Sequence, residues 1–302
     1  MSRLIPLLFV LGALLPWGAP GAALAQSAAQ PVPAPYALDR TEVHRLHSRL
    51  LQRDYELYIG LPPESEAGAR LPLLFVTDAP VAFPVIRAMS RRLGHEGPQS
   101  QQMVMVGLSY ALGDSPTVSR NRDYTPSQRA SAAEDSSAVY GQAEAYVRFI
   151  REEVLPYLAA HVPQADLSRR YFAGHSYGSL FGAHVLLHHP GLFQRYILSS
   201  PSLWYDQERV LREAEQLAAR RQPLHAQVLL LAGAKEQTAP GRRPRPGQEA
   251  DGDIVGNVRR FERLLRQMPG VQVQARIIPD EDHLSVFPSA MVRGLRWALP
   301  LR

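Results

Sequence analysis

Apolar and polar positions along this chain follow two periods that take turns. Residues 55–59 (YELYI) alternate as a half-buried strand does and stop at Pro62-Pro63. Residues 71–76 (LPLLFV) and 103–108 are apolar runs, the pattern of strands buried on both faces. Over residues 142–162 the spacing changes. Val147, Ile150, Val154 and Leu158 recur every three or four positions, which predicts a helix. The alternation then repeats. Strands are expected at 170–173, 194–198, 226–232 and 271–278, and helices at 180–187, 207–220, 257–268 and 288–299. Pro190 ends one of these helices and Pro269-Gly270 another.

Strands alternating with helices imply an α/β fold, a mostly parallel sheet with helices on both faces. Such a sheet binds ligands at the carboxyl ends of its strands. No internal repeat is present. Residues 237–253 (QTAPGRRPRPGQEADGD) break the pattern, and their Pro, Gly and charge predict a mobile loop after the strand at 226–232. The length of 302 residues fits one large α/β domain, here expected over residues 47–302, preceded by a flexible segment over 26–46.

The first residues read as a targeting signal. Arg3 gives a positive start, residues 4–17 an apolar run, and Ala23-Leu24-Ala25 a cleavage site. This predicts a secretory signal peptide over residues 1–25, cut near Ala25/Gln26, and a periplasmic protein. The run is shorter than the ~20 residues of a spanning helix, so no stable membrane insertion is expected. The chain has no cysteine, which excludes disulfides, a cysteine nucleophile and a lipidated N-terminal cysteine. The net charge of +5 leaves room for an anionic ligand. The basic residues are scattered and form no nucleic-acid-binding motif, so no nucleic-acid partner is expected, and no cofactor either.

Candidate chemistry centres on AGHSYGS, residues 173–179. Gly174 and Gly178 flank Ser176 in a Gly-x-Ser-x-Gly pattern, with a strand expected before it and a helix after it. That context fits a strained turn presenting a nucleophile above the sheet. A serine needs a base, and His283 is the one histidine after the last strand. The base needs an acid. Glu236, in the loop after the strand at 226–232, gives the order Ser176, Glu236, His283 of α/β-hydrolases. Asp280 and Asp282 are rivals, and a Ser–His pair working alone is a further option. The oxyanion hole would use the N–H of Tyr177 and one from residues 77–81. Pro80 has no N–H, which leaves Ala79 or Val81. His175 reads as a packing or elbow-shaping residue. His188-His189, at a helix end, reads as a capping or solvated pair and not as a metal site, and no metal is expected.

These residues resemble those of the esterase-D-like α/β-hydrolases, and within them the enzymes that hydrolyse trilactone catecholate siderophores such as enterobactin. The resemblance runs from about residue 47 to residue 297. It is carried by Arg120-Asn-Arg122-Asp-Tyr-Thr-Pro126, Gly174-His-Ser-Tyr-Gly178, Ser200-Pro-Ser-Leu-Trp204, Gly233 to Glu236, and Asp282-His283. Where the family commonly has Asp-Gly after the third strand, this chain has Asp78-Ala79-Pro80. The resemblance implies an α/β-hydrolase fold, a serine esterase and an anionic ferri-siderophore substrate. Arg120 and Arg122 would then supply charge, with Arg91 and Arg92 in reserve, and Trp204 and Tyr205 would supply aromatic faces. Trp204 has a core reading beside this one, and either arginine a loop-fixing pair with Asp123. Arg242, Arg243 and Arg245 either steer anions or belong to a solvated linker. Two other functions stay open: a broad-specificity or feruloyl-type carboxylesterase, and a ferri-siderophore-binding protein without turnover.

Overall fold

The unbroken apolar run LPLLFV is strand β3 (Leu71–Val76), in the middle of the sheet. It pairs in parallel with β4 (Val104–Ala111) on one side and β5 (Ala165–His175) on the other. Leu73 and Phe75 enter one hydrophobic cluster, Leu74 and Val76 the other. Successive strand residues point to opposite faces, so a strand covered on both must be apolar throughout. This computed structural model describes residues 36–62, 68–95, 102–128, 138–237 and 252–299. The signal peptide expected over 1–25 and residues 238–251 of the expected loop lie outside the described residues. From Leu38 on the chain forms one unit.

Among the described residues eight strands form a single sheet, in the order β1-β2-β4-β3-β5-β6-β7-β8. The others are β1 (Thr41–Ser48), β2 (Arg53–Gly60), β6 (Arg195–Ser199), β7 (Ala226–Gly233) and β8 (Val271–Ile278). β2 pairs antiparallel with both β1 and β4, and β3 to β8 run parallel. Helices α1 (Ala79–His95) and α8 (Val286–Ala298) contribute Phe83, Ile86, Met291 and Leu295 to the cluster on one face. The opposite face is covered by α3 (Ala143–Phe149), α4 (Leu155–His161), α5 (Tyr177–His188), α6 (Tyr205–Ala219) and α7 (Ile254–Leu265). A short α2 (Pro116–Asp123) follows β4. This is the α/β-hydrolase fold.

The flexible segment expected over 26–46 needs correction at its end. Residues 41–48 are β1, paired from Thr41↔Gly60 to Ser48↔Arg53. As an edge strand, β1 exposes the apolar Val43 and half-buries the polar His44, so its hydrophobicity does not alternate. The helix expected over 142–162 is present, with Val147, Ile150, Val154 and Leu158 fully buried. It widens to a π turn over Ile150–Val154. Pro156 has no N–H, and its ring would meet the carbonyl four residues back, which accounts for the wider turn ahead of it.

Candidate active site

β5 delivers Ser176 to the top of the sheet. The residue sits between β5 and α5 at φ 57° and ψ −120°, a conformation L-residues rarely adopt. Its N–H donates to the Ser199 carbonyl at 3.0 Å, and its carbonyl accepts from Leu180 N–H at 2.9 Å. The flanking glycines are steric requirements. A Cβ on Gly174 would stand 2.6 Å from the Gly178 backbone, and one on Gly178 would stand 2.2 Å from Thr77 Oγ1. The chain after β3 can therefore close against the elbow. Tyr177 opens α5, so its N–H lies at a helix N-terminus, where a developing oxyanion is favoured. In the turn after β3, Val81 N–H donates to Asp78 O and Asp78 N–H to Tyr124 Oη. Ala79 N–H is the remaining donor of that turn.

The candidate acid and base meet across the tops of β7 and β8. Glu236 follows β7 in a single 3-10 turn, with its side chain 3% exposed. His283 Nδ1 donates to Glu236 Oε1 at 2.6 Å. A carboxylate only accepts, so this contact places the imidazole proton on Nδ1 and leaves Nε2 to act as base. Ser200 Oγ and Gly233 N–H donate to Glu236 Oε2 at 2.7 and 2.6 Å. The rivals are committed elsewhere. Asp282 is exposed and accepts from the N–H groups of Leu284 and Ser285, and Asp280 is exposed in a turn. The Ser176 hydroxyl pairs with Ser202 Oγ at 3.3 Å, in place of an imidazole partner. Such catalytic bonds often tighten only with substrate. Ser200 and Ser202 were legible only as part of the Ser200–Trp204 motif, without a role.

The expected substrate-binding residues divide. Arg120 is half-buried, 2.9 Å from Asp78, with its guanidinium 5.6 Å from the Tyr177 ring centroid. Arg122 is a correction: it is buried, bridging Asp123 at 2.8 Å and Asp114 at 2.6 Å, and it offers no charge to a ligand. Tyr205 is also a correction. It is fully buried, its hydroxyl donates to the Ser127 carbonyl at 2.8 Å, and it has no face for a ligand. Trp204 is half-buried, 6.1 Å from the Tyr177 ring. Arg91 pairs with Asp39. The side chains of Arg92, Arg242, Arg243 and Arg245 lie outside the described residues.

With a nucleophile elbow and a carboxylate–histidine pair at adjacent strand ends, the comparisons with known proteins are decisive. The family model described as "Putative esterase" matches residues 48–250. The chain belongs to this esterase family. It is 29% identical to the ferri-bacillibactin esterase BesA of Bacillus subtilis over 276 residues, 87% of this chain and 91% of that one. It is 28% identical to a siderophore enterobactin esterase of Emericella nidulans, over 74% of this chain and 80% of that one. The solved BES protein of Bacillus cereus superposes with a TM-score of 0.75 at 22% identity, covering 90% of this chain and 99% of that one.

His175 occupies a place in the esterase that packing alone does not describe. Its ring lies 4.7 Å from that of His283, and its Nδ1 is 3.1 Å from Ser199 Oγ. Burial, then the nearby His283 and Arg120, push its pKa down to about 3, so the ring is neutral at working pH. Beside it is a cavity of about 230 Å³. Ile86, Phe287 and Met291 are among its apolar walls, and Asp78, Tyr110 and Arg120 form its polar side. Burial raises the Asp78 pKa, while Arg120 and a hydrogen bond from Tyr110 pull it back. Among the described residues no helix of the esterase is long and apolar enough to cross a membrane.

Proposed function

We propose that this esterase hydrolyses the ester (lactone) bonds of a ferric trilactone catecholate siderophore such as enterobactin, through an acyl-enzyme. The carrying observation is the 2.6 Å contact of His283 with Glu236 at the same carboxyl edge of the sheet as the Ser176 elbow. The names of the two curated relatives support the substrate class. In this reading Ser176 Oγ attacks the lactone carbonyl as His283 Nε2 takes its proton. Glu236 holds the imidazole and stabilises its charged form. The oxyanion forms against the N–H groups of Tyr177 and Ala79, each donor contributing roughly 3–4 kcal/mol to the transition state. His283 then protonates the leaving alkoxide, and water repeats the sequence to release the linear product. The cavity beside the elbow, apolar on one wall and carrying Arg120, suits a flat anionic catecholate arm. Opening the trilactone loosens the hold on iron. Residues 1–25 would direct this chemistry to the periplasm.

Product analysis on ferric enterobactin, beside rates on small nitrophenyl esters, tests the reading. Linear products at rates above those on the small esters, abolished in Ser176→Ala, are expected. Faster turnover of the small esters would favour a general carboxylesterase. Tight binding without product would favour a binding protein. N-terminal sequencing of exported material should begin near Gln26, and a retained Met1 would overturn export.

A further inference from the structure

His184 lies on α5 with 8% of its surface exposed, and neither ring nitrogen has a hydrogen-bond partner. An unpaired buried polar group is costly, so a native imidazole in this state points to a missing partner. Its neighbours are metal-ligand types. The ring of His188, one turn further along α5, is 4.7 Å away, and that of His189 is 6.1 Å away. Two carboxylates come from other helices. Glu213 of α6 lies 3.0 Å from His188 Nε2. Glu144 of α3 lies 2.7 Å from His189 Nε2 and 3.7 Å from His184 Nε2.

Two three-residue sets share His184, and within each the ligand atoms lie within 4.8 Å of one another. They differ chemically. His189 Nδ1 faces Arg151 Nη2 at 2.9 Å. A guanidinium only donates, so Nδ1 accepts and the proton sits on Nε2, facing Glu144. A metal on Nε2 would have to displace that proton from a ring already accepting at its other nitrogen. His188 has no such constraint, since its proton can move to Nδ1 when Nε2 binds. His184 and His188 are four residues apart and share one face of the helix.

We propose that His184, His188 and Glu213 bind a divalent transition metal. Two imidazoles and a carboxylate suit Zn²⁺, with water completing the coordination. Glu144 then stands behind His184 as the outer carboxylate that orients its ring. The site is separate from the chemistry of Ser176, but it shares a helix with it. α5 begins at the nucleophile elbow, and the metal joins its last turn to α6. Binding to the folded form alone adds stability to that pair of helices.

Untagged full-length protein stripped with EDTA is titrated with Zn²⁺ by calorimetry and with Co²⁺ by visible absorption. One equivalent of Zn²⁺, a raised Tm and Co²⁺ bands of a low-coordinate site are expected. His188→Ala and Glu213→Gln should each weaken Zn²⁺ binding at least about tenfold. Both change partly exposed side chains, and metal-free hydrolysis of a nitrophenyl ester should stay at the wild-type rate, which confirms folding. Undiminished binding in His188→Ala would place the zinc elsewhere and overturn the site. So would binding that survives His188→Ala and is lost in His189→Ala, or no uptake at micromolar Zn²⁺.

Discussion

Arg122 divides its guanidinium between Asp123 and Asp114, and Tyr55 Oη donates to the same Asp123 carboxylate at 3.0 Å. Removing one partner of a buried pair strands the other charge, so Arg122→Ala should lower stability by about 3–5 kcal/mol, read from urea unfolding. Arg120→Ala should cost less, because Asp78 keeps Tyr110 as a donor and burial already favours its protonated form. Its effect should appear as a raised KM for a ferric catecholate and an unchanged KM for a neutral nitrophenyl ester. Equal effects on both substrates would remove Arg120 from the binding surface. The motif Arg120-Asn-Arg122-Asp placed two cations in one loop, but spacing could not say which one faces inward. Glu236 was easier to read, because a carboxylate after β7 is where the fold needs one. Glu236→Ala should lower kcat about 10²–10⁴-fold with little change in KM, since it acts on the imidazole and not on the substrate. Unchanged kcat in steady-state assays would leave a Ser–His pair working without it.

Four parallel strands lead within two residues to a non-glycine residue at positive φ: Asp78 at 58°, Ser176 at 57°, Ser200 at 44° and Asp280 at 61°. Strain of this kind costs roughly 1–3 kcal/mol per residue and needs tight surroundings to hold it. Gly178 shows how tight these are. Gly178→Ala should destabilise the protein by about 1–3 kcal/mol and depress turnover, because its methyl would overlap Thr77 Oγ1. Thr77 Oγ1 is buried without a hydrogen-bond partner, so Thr77→Ala in that background should restore part of both. A double variant no better than Gly178→Ala in melting and rate measurements would refute the steric account. The buried strands and amphipathic helices could be read because their periods survive in one dimension. α1 could not. Its buried positions, Ala79, Ala82, Phe83 and Ile86, keep helical spacing, but Pro80 and Pro84 disguise it. α2 is polar with proline at its start, and β1 half-buries His44 and Leu46 and buries Ser48 but exposes the apolar Val43, so neither shows a hydrophobic period in its sequence.

The tops of β5, β6, β7 and β8 bring together Ser176, Ser200, Glu236 and His283, and chain order alone anticipates this for a parallel sheet. Burial is a property of the assembled fold, and so the state of His175 could not be anticipated. Its pKa falls from 6.5 to about 3 on folding. Above the unfolded value both forms are neutral and His175 adds no pH dependence. As pH falls below it, the unfolded chain takes up a proton that the folded chain refuses. Stability contributed by the neutral ring is therefore present above pH ~6.5 and lost towards pH ~3, by at most about 1.4 kcal/mol per pH unit. Asp78 and Asp123 act in the opposite sense. Burial raises their folded pKa values, so the folded chain binds their protons first and is favoured as pH falls. Those carboxylates act near and above the ordinary carboxylate range, whereas His175 begins to act from about pH 6.5 downwards. In urea unfolding of metal-free protein between about pH 7 and about pH 5, His175→Gln should therefore flatten the loss of stability by close to one proton. If the slope is unchanged, the acid sensitivity belongs to other groups and His175 is not held neutral by the fold.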